Sequence, residues 1–353
     1  MLIKENPFQK AGKWIIALLV TALIIYLSYF FFDIIIMLII SILIAMIFNP
    51  VVSALEKKNI PRLFSVLLVF IFSTIIVLAG FSILIPKIVN QMNTITETLN
   101  QDNVNSILSG IESFFQTYLP FINSTNLAVQ VEDFLSALII DSFANLSEIL
   151  TSILSILAIS VIVPFMTFFF LKDKNRILKG IIDMAPNRYF EMFYSVMKQI
   201  SRELGRFVRG WILDAFIVGA MSAIGLMILG IDNAITIGFI AGVGHLIPYF
   251  GPIVGGLPAA LISVIQFGDF SMLPAIIIMF LIVYTLDNGF IQPNVFSKST
   301  DIHPLMIIIL ILIGSQVLGI FGMLIAVPTA TVLRTAGREI FKGYKYYNIF
   351  RIQ

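Results

Sequence analysis

From Trp14 to Phe32 the chain carries no charged residue, and comparable stretches recur along its length. This feature limits the possible folds more than any other. About 20 apolar residues in helical form cross the hydrocarbon core of a bilayer. Inside that core every backbone N–H and C=O must be paired within the protein, which leaves helices or a closed barrel. The stretches are continuously apolar and not ten-residue alternations, so they read as helices. Composition agrees: 59% of the 353 residues are hydrophobic and 12% are charged. An ordinary soluble domain has about 25% charged residues. The predicted fold class is an all-α polytopic membrane protein with about eight hydrophobic segments. The N-terminal run lacks a small-residue cleavage pattern after it and reads as an uncleaved span, not a signal peptide.

The predicted spans are Trp14–Phe32, Ile34–Leu55, Leu63–Ile85 (ended by Pro86), Ile149–Leu171, Gly210–Leu229 and Met272–Gly289. Residues 1–86 thus form a group of three spans. Lys87–Glu148 is rich in Asn, Ser, Thr and Gln. Its apolar residues Ile107, Ile111, Phe114, Phe115 and Tyr118 recur at helical spacing, which predicts an extramembrane subdomain of amphipathic helices. The fourth span, 149–171, leads into Lys172–Arg209, which is basic and amphipathic with Met192, Val196, Ile200 and Leu204 on one face. Residues 210–333 form the second apolar half, and 334–353 a polar tail.

Basic residues orient the chain. Place both termini, the loop Glu56–Arg62, the stretch Lys172–Arg209 and the loop Ile291–His303 on one side. All of the 22 Lys and Arg residues except Lys87 then fall there. The acids from Glu97 to Glu148 fall opposite. The Lys/Arg bias makes the basic side cytoplasmic.

Two further apolar regions are broken. Ala234–Phe267 is interrupted by Pro248-Tyr249-Phe250-Gly251-Pro252, Gly255-Gly256 and Pro258. Pro304–Leu333 is interrupted by Gly314-Ser315-Gln316, Gly319, Gly322 and Pro328. Each arm falls short of the about 20 residues needed to span. Irregular backbone at membrane depth is tolerated only inside protein or beside a water-filled cavity. Two re-entrant helical hairpins answer this, and a long kinked span in each place is the alternative. A span followed by a hairpin then occurs twice with opposite topology, the inverted-repeat pattern of transporters. Hairpin tips would expose backbone groups to a small polar solute. The candidate transport-path residues are therefore Pro248, Tyr249, Gly251, Pro252, Gly255, Gly314, Ser315, Gln316, Gly319 and Gly322; close helix packing is the competing account of the glycines.

Asp214 and Asp287 are the acids placed within apolar spans, and a charge at membrane depth is costly enough to mark function. With His245, before the first tip, they are the candidates for ion or proton coupling. Both acids also lie near span ends, within reach of interfacial water or an Arg. His303 is placed at the cytoplasmic interface. Two histidines without a nearby carboxylate cluster predict no metal site, and no zinc-protease motif, intramembrane-protease string or phosphate-binding loop is present. No enzyme activity, cofactor or catalytic residue is therefore expected. With a net charge of +2 and no basic, aromatic-interleaved surface, no nucleic-acid partner is expected either. The chain has no cysteine, so no disulfide forms.

Several strings read together: Phe170-Leu171-Lys172-Asp173, Asp183-Met184-Ala185-Pro186, Phe207-Val208-Arg209-Gly210, His245-Leu246-Ile247-Pro248-Tyr249-Phe250-Gly251-Pro252, Asp287-Asn288 with Gln292-Pro293, His303-Pro304, and Leu318-Gly319-Ile320-Phe321-Gly322 with Ala326-Val327-Pro328. As a set they resemble the autoinducer-2 exporter (PerM-type permease) family of bacterial membrane transporters. The chain departs at His245, where members often have Asn, and at Trp211, where they often have Gln. The resemblance implies a secondary transporter in the bacterial cell membrane, either an exporter of a small polar molecule such as autoinducer-2 or a sodium(lithium)/proton antiporter. It also implies a homo-oligomer, with a pentamer as the first assembly to test. A membrane scaffold that transports nothing is the reading from another class, and costly broken helices argue against it. Membrane lipid and a small polar solute or cation are the expected partners.

The orientation is testable because the chain has no native cysteine to remove. In intact cells a membrane-impermeant thiol reagent should label N103C and spare K179C; the reverse pattern would invert the topology.

Overall fold

The computed structural model describes residues 18–98 (except 20, 24, 25, 28 and 29), 160–296 and 303–346. Part of the first predicted span, the subdomain beyond Thr98, the first part of the fourth predicted span up to residue 159 and the end of the tail lie outside the described residues. The described part is helical, with no strand among the described residues. Five of its helices are long and apolar enough to cross a membrane, and three shorter apolar helices accompany them. The chain is a multi-pass membrane protein.

The first group holds α1 (Phe32–Glu56), α2 (Arg62–Thr98) and α3 (Ser160–Lys172). Ala45, Val52, Val66, Val69 and Leu171 form its buried core. Lipid offers no hydrophobic drive for helices to associate, so small and polar contacts do much of the joining. Ser41 and Thr167 are fully buried between α1 and α3. The Ser41 hydroxyl donates to Met37 O at 2.6 Å and Val163 O at 3.3 Å, and Thr167 donates to Val163 O at 2.7 Å. Arg62 at the start of α2 donates to the last carbonyls of α3, Leu171 O at 2.8 Å and Lys172 O at 3.1 Å, and pairs with Glu56 at 3.0 Å. A cation is favoured at a helix C-terminus, where carbonyls lack partners. Pro86, expected to stop the third span, lies inside α2 instead. Proline removes one N–H and crowds the carbonyl four residues back, which bends a helix without forbidding its continuation.

The second group is built on α5 (Phe190–Ile228), which follows the short amphipathic α4 (Lys174–Asp183). Sequence reading divides the basic stretch from the next span at Gly210. The structure joins them in one helix of 39 residues. Neither Gly nor Pro interrupts the hydrogen-bonding there beyond Gly205 and Gly210, and good helix formers flank both. Val196 and Leu204 of the predicted apolar face are buried. The first broken region becomes α6 (Ala234–Gly244) and α7 (Gly251–Phe267), joined by turns and packed on each other. After it come α8 (Leu273–Leu286), a π-turn (Asp287–Ile291) and α9 (Gln292–Val295). Val218, Leu226, Ile237, Ala241, Ile262, Met279 and Phe280 form the core of α5 to α8.

The second broken region is α10 (Pro304–Tyr346), and it is not one straight helix. Gly319 sits at φ 58°, ψ −138°, outside helical geometry. A Cβ on Gly322 would collide with the carbonyl of Gly314, and one on Gly314 with the carbonyl of Gly322. Eight residues of continuous helix would hold those positions about 12 Å apart, so the chain turns back on itself between them. Its second arm packs on α5 through Ile325 and Val327. The residues predicted as a polar tail continue the arm as helix to Tyr346, where Thr335 donates to Glu203 at 2.7 Å and Gly343 meets Met192.

Helices α5 and α6 run antiparallel at backbone distance. A Cβ built on Gly238 would lie 2.5 Å from the Ala223 Cβ, and one on Gly219 would lie 2.9 Å from Gly238 O and 3.1 Å from the Gly242 Cα. The spacing is small-xxx-small on both helices, Gly219 with Ala223 and Gly238 with Gly242, which brings backbones together in membranes. Substituting Gly238→Leu should therefore lower stability by about 1–3 kcal/mol or more, the cost of forcing atoms into a packed contact. Gly180→Ala, where a Cβ meets nothing within 4 Å, should be neutral or gain about 0.5–1 kcal/mol. Thermal unfolding in detergent checks both, and equal midpoints for Gly238→Leu and wild type would dismiss the contact.

Candidate functional site

The backbone contact between α5 and α6 decides what lies beyond it. Gly242 reaches the Ala215 carbonyl, where a Cβ would lie 2.9 Å away. The next residue back on α5 is Asp214, and His245 caps the end of α6 three residues after Gly242. The two side chains therefore face each other. His245 Nε2 lies 3.3 Å from Asp214 Oδ2 and 3.3 Å from Asp287 Oδ2, so one imidazole nitrogen is shared by two carboxylates. The three residues are 3%, 4% and 2% exposed for Asp214, His245 and Asp287.

Asp287 enters from the end of α8, and the π-turn explains how it is held. Pro293 has no N–H for the Gly289 carbonyl and crowds it, so the helix loosens over Asp287–Ile291. In a regular α-helix a residue five positions on lies roughly 140° around the axis. Closure from i to i+5 brings that residue back to the same face. Gln292 is five positions after Asp287, and its Nε2 donates to Asp287 Oδ2 at 2.9 Å. Gln292 is thus a site residue to which sequence reasoning gave no role, although it stands with Pro293 among the strings that carry the family resemblance.

The remaining oxygens Asp214 Oδ1 and Asp287 Oδ1, the His245 Nδ1 and the indole Nε1 of Trp211, one turn before Asp214, are buried without hydrogen-bond partners. One ligand atom from each of Asp214, His245 and Asp287 lies within 4.8 Å of the others, close enough for all three to hold one cation. This corrects the expectation that no carboxylate cluster stands near a histidine. Sequence positions 214, 245 and 287 are far apart, and only the packing of three helices joins them. It also corrects the reading that the two acids reach interfacial water or an Arg: both are buried, with His245 and Gln292 as their partners.

The other predicted residues fall in several places. Tyr249 stands at φ 73°, a left-handed conformation that is strained for a bulky residue. It lies between Pro248 and Phe250 in the turn beside the cluster. Gly251 packs on His245, where a Cβ would meet the imidazole Nδ1 at 2.8 Å, and Gly255 packs on Ala241, where a Cβ would meet the Ala241 Cβ at 2.5 Å. Both are buried, so in this structure they serve close packing of α7 on α6. Pro252 opens α7 as its second residue. Gly314, Gly319 and Gly322 form the reversal in α10, Ser315 is half-buried and Gln316 exposed, and neither polar side chain bonds to the cluster. His303 is exposed, and its Nδ1 accepts from Leu305 N at 3.2 Å at the start of α10.

Comparison with known proteins fits this picture. The family model described as AI-2E family transporter matches residues 17–342. "Putative transport protein YueF" of Bacillus subtilis is 28% identical over 94% of this chain and 89% of its own length. "Putative transport protein YrrI" of the same organism is 26% identical over 84% of both chains. "Putative permease PerM" of Escherichia coli K12 is 26% identical over 52% of both. With a family model covering nearly its whole length, this chain belongs to the AI-2E family of transporters.

Proposed function

We propose that the chain is a secondary transporter of the bacterial cytoplasmic membrane with both termini in the cytoplasm, and that Asp214, His245 and Asp287 are its coupling centre. The carrying observation is the burial of two carboxylates against a single imidazole nitrogen. Two carboxylates hold more negative charge than one imidazole can balance, and an uncompensated charge in a dry site is strongly unfavourable. The centre therefore works by taking up a proton or a small cation and losing it on the other side of the membrane. Its ligand atoms come from α5, α6 and α8, so any shift of one helix changes its affinity. Exchange with the aqueous phases follows from alternating access, with the breaks at Pro248–Gly251 and Gly314–Gly322 acting as re-entrant hairpins. The cargo is an exported small polar molecule of the autoinducer-2 kind, and the working unit is a homo-oligomer.

A second reading shares the same centre. Two carboxylates and an imidazole within 4.8 Å suit a sodium(lithium)/proton antiporter, in which the centre is the whole cargo site and no organic solute moves.

Proteoliposome flux separates the two. A furanone-type signal moving against its gradient under an imposed pH difference supports the exporter. Sodium-dependent proton release without signal flux supports the antiporter, and neither flux would sink both. Asp287→Asn keeps size and hydrogen bonding and removes the charge. It should insert and accumulate normally and lose ion-driven flux by about 100-fold or more, the scale on which a positioned proton-transfer group contributes. Exchange of substrate down its own gradient should survive. Lower abundance with unchanged flux per molecule would make the carboxylate structural.

His245→Asn keeps a hydrogen-bonding amide where the imidazole stood. It should leave transport measurable and alter its dependence on pH, because the imidazole that both carboxylates share is gone. An unchanged pH profile would place the titrating group elsewhere.

A further inference from the structure

A groove of about 420 Å³ opens between α1, α4 and α5, and none of Asp214, His245 and Asp287 lines it. Leu38, Ile42 and Met46 of α1, Ile177 and Ile181 of α4 and Ile200 of α5 line its apolar wall. Along α1 the wall runs from Leu38 to Asn49, about 16 Å of helix. One leaflet of the hydrocarbon core is about 15 Å deep. The apolar wall thus matches the length of a single acyl chain.

The polar residues are not spread evenly through the groove. Lys174 and Arg209 line it, and Lys174 lies close enough to Arg62, Glu56 and Arg209 to feel the charge of each. The one acid of this group, Glu56, is taken by Arg62 at 3.0 Å. Lys174 and Arg209 make no ion pair or hydrogen bond with any described residue. Burial first, and then Arg62 and Arg209, hold the Lys174 ammonium below its ordinary range, a strain that an anion at the groove would relieve. Asn49 adds a buried Oδ1 with no donor at the same end of α1.

We propose that this groove binds one anionic phospholipid, with its phosphate on Lys174 and Arg209, a headgroup hydroxyl on Asn49, and one acyl chain along α1. Charge and shape select the occupant together. A zwitterionic lipid would bring its own cation to a place already rich in them. A free phosphate would leave the apolar wall uncovered. Basic pockets between membrane helices on the cytoplasmic side are where anionic headgroups bind, and Lys/Arg bias places this end of α1 there. The site is independent of the coupling centre, because it asks only that the chain sit in a bilayer. Arg209 precedes Asp214 by little more than one turn of α5, so lipid occupancy bears on the helix that carries the centre.

The test uses the full chain, purified and delipidated in detergent, with native mass spectrometry as readout. Dioleoyl phosphatidylglycerol should bind about 30-fold tighter than dioleoyl phosphatidylcholine, the scale expected of two basic contacts at a membrane surface. The double variant K174Q/R209Q should bind both lipids equally. R202Q/R206Q, the same charge change at two basic residues of α5 that do not line the groove, should keep the preference. Ser201→Phe, which fills the groove without touching a charge, should weaken phosphatidylglycerol binding. Equal affinity of the wild type for the two lipids would overturn the proposal, as would a preference that persists in K174Q/R209Q. Glycerol phosphate binding as well as the intact lipid would also overturn it, leaving an anion site with no role for the acyl chain.

Discussion

The backbone contact of α5 with α6 is the interaction on which the rest of this structure depends. In lipid, helices gain little from hiding apolar side chains, because the solvent is as apolar as they are. What they gain comes from close packing and polar contacts. Gly219, Ala223, Gly238 and Gly242 let two helices touch through their main chains. That contact sets the depth of His245 relative to Asp214. It also makes a platform on which α7 lies through Gly251 and Gly255, and against which α8 closes with Met279 and Phe280. A larger residue at any of these positions moves a wall of the site.

Upon that platform the chain places three ionisable groups where water does not reach. The cost of burying them is large, and the surroundings offset it only in part. Gln292 supplies one donor, and His245 shares one nitrogen between two acids. A fully satisfied polar network would rigidify the core. This one retains unpartnered atoms on all three members, so its hydrogen-bonding capacity is only partly used. The strained Tyr249 and the π-turn at Asp287–Ile291 lie directly beside it. Two irregularities of the backbone thus adjoin the buried cluster, while Ser41, Thr167 and Arg62 join α1, α2 and α3.

Helix α5 links the two regimes. Its first half carries basic residues and packs on the end of α10 through Glu203 and Thr335. Its second half carries Asp214 and the glycine contact. It is one continuous helix, with no break between the basic end and Asp214. The second broken region bears on the same helix through Ile325 and Val327, so the reversal at Gly319 and the centre lie against a common element.

Much of this was legible in the residues. Uncharged, continuously apolar stretches of spanning length determined an all-helical membrane protein, because lipid allows only helices or closed barrels and a barrel strand would alternate. Proline and glycine marked both places where the chain turns, since these residues remove donors or permit conformations that helices exclude. Asp214, Asp287 and His245 stood out singly because charge is expensive in an apolar span. Their assembly into one site was decided by tertiary structure alone. It depends on which glycines meet across α5 and α6 and on a π-turn that rotates Gln292 under Asp287; the glycines and Pro293 are visible in the sequence, but not which partners they bring together. For the same reason Pro86 and Gly210 misled: local propensity proposes where a helix ends, and packing along its whole length disposes. The sequence determined the solvent, the elements and the costly residues; the three-dimensional packing of α5, α6 and α8 decided that those residues share one buried nitrogen, because distances between side chains 30 to 70 positions apart are set by helix contacts and not by the chain between them.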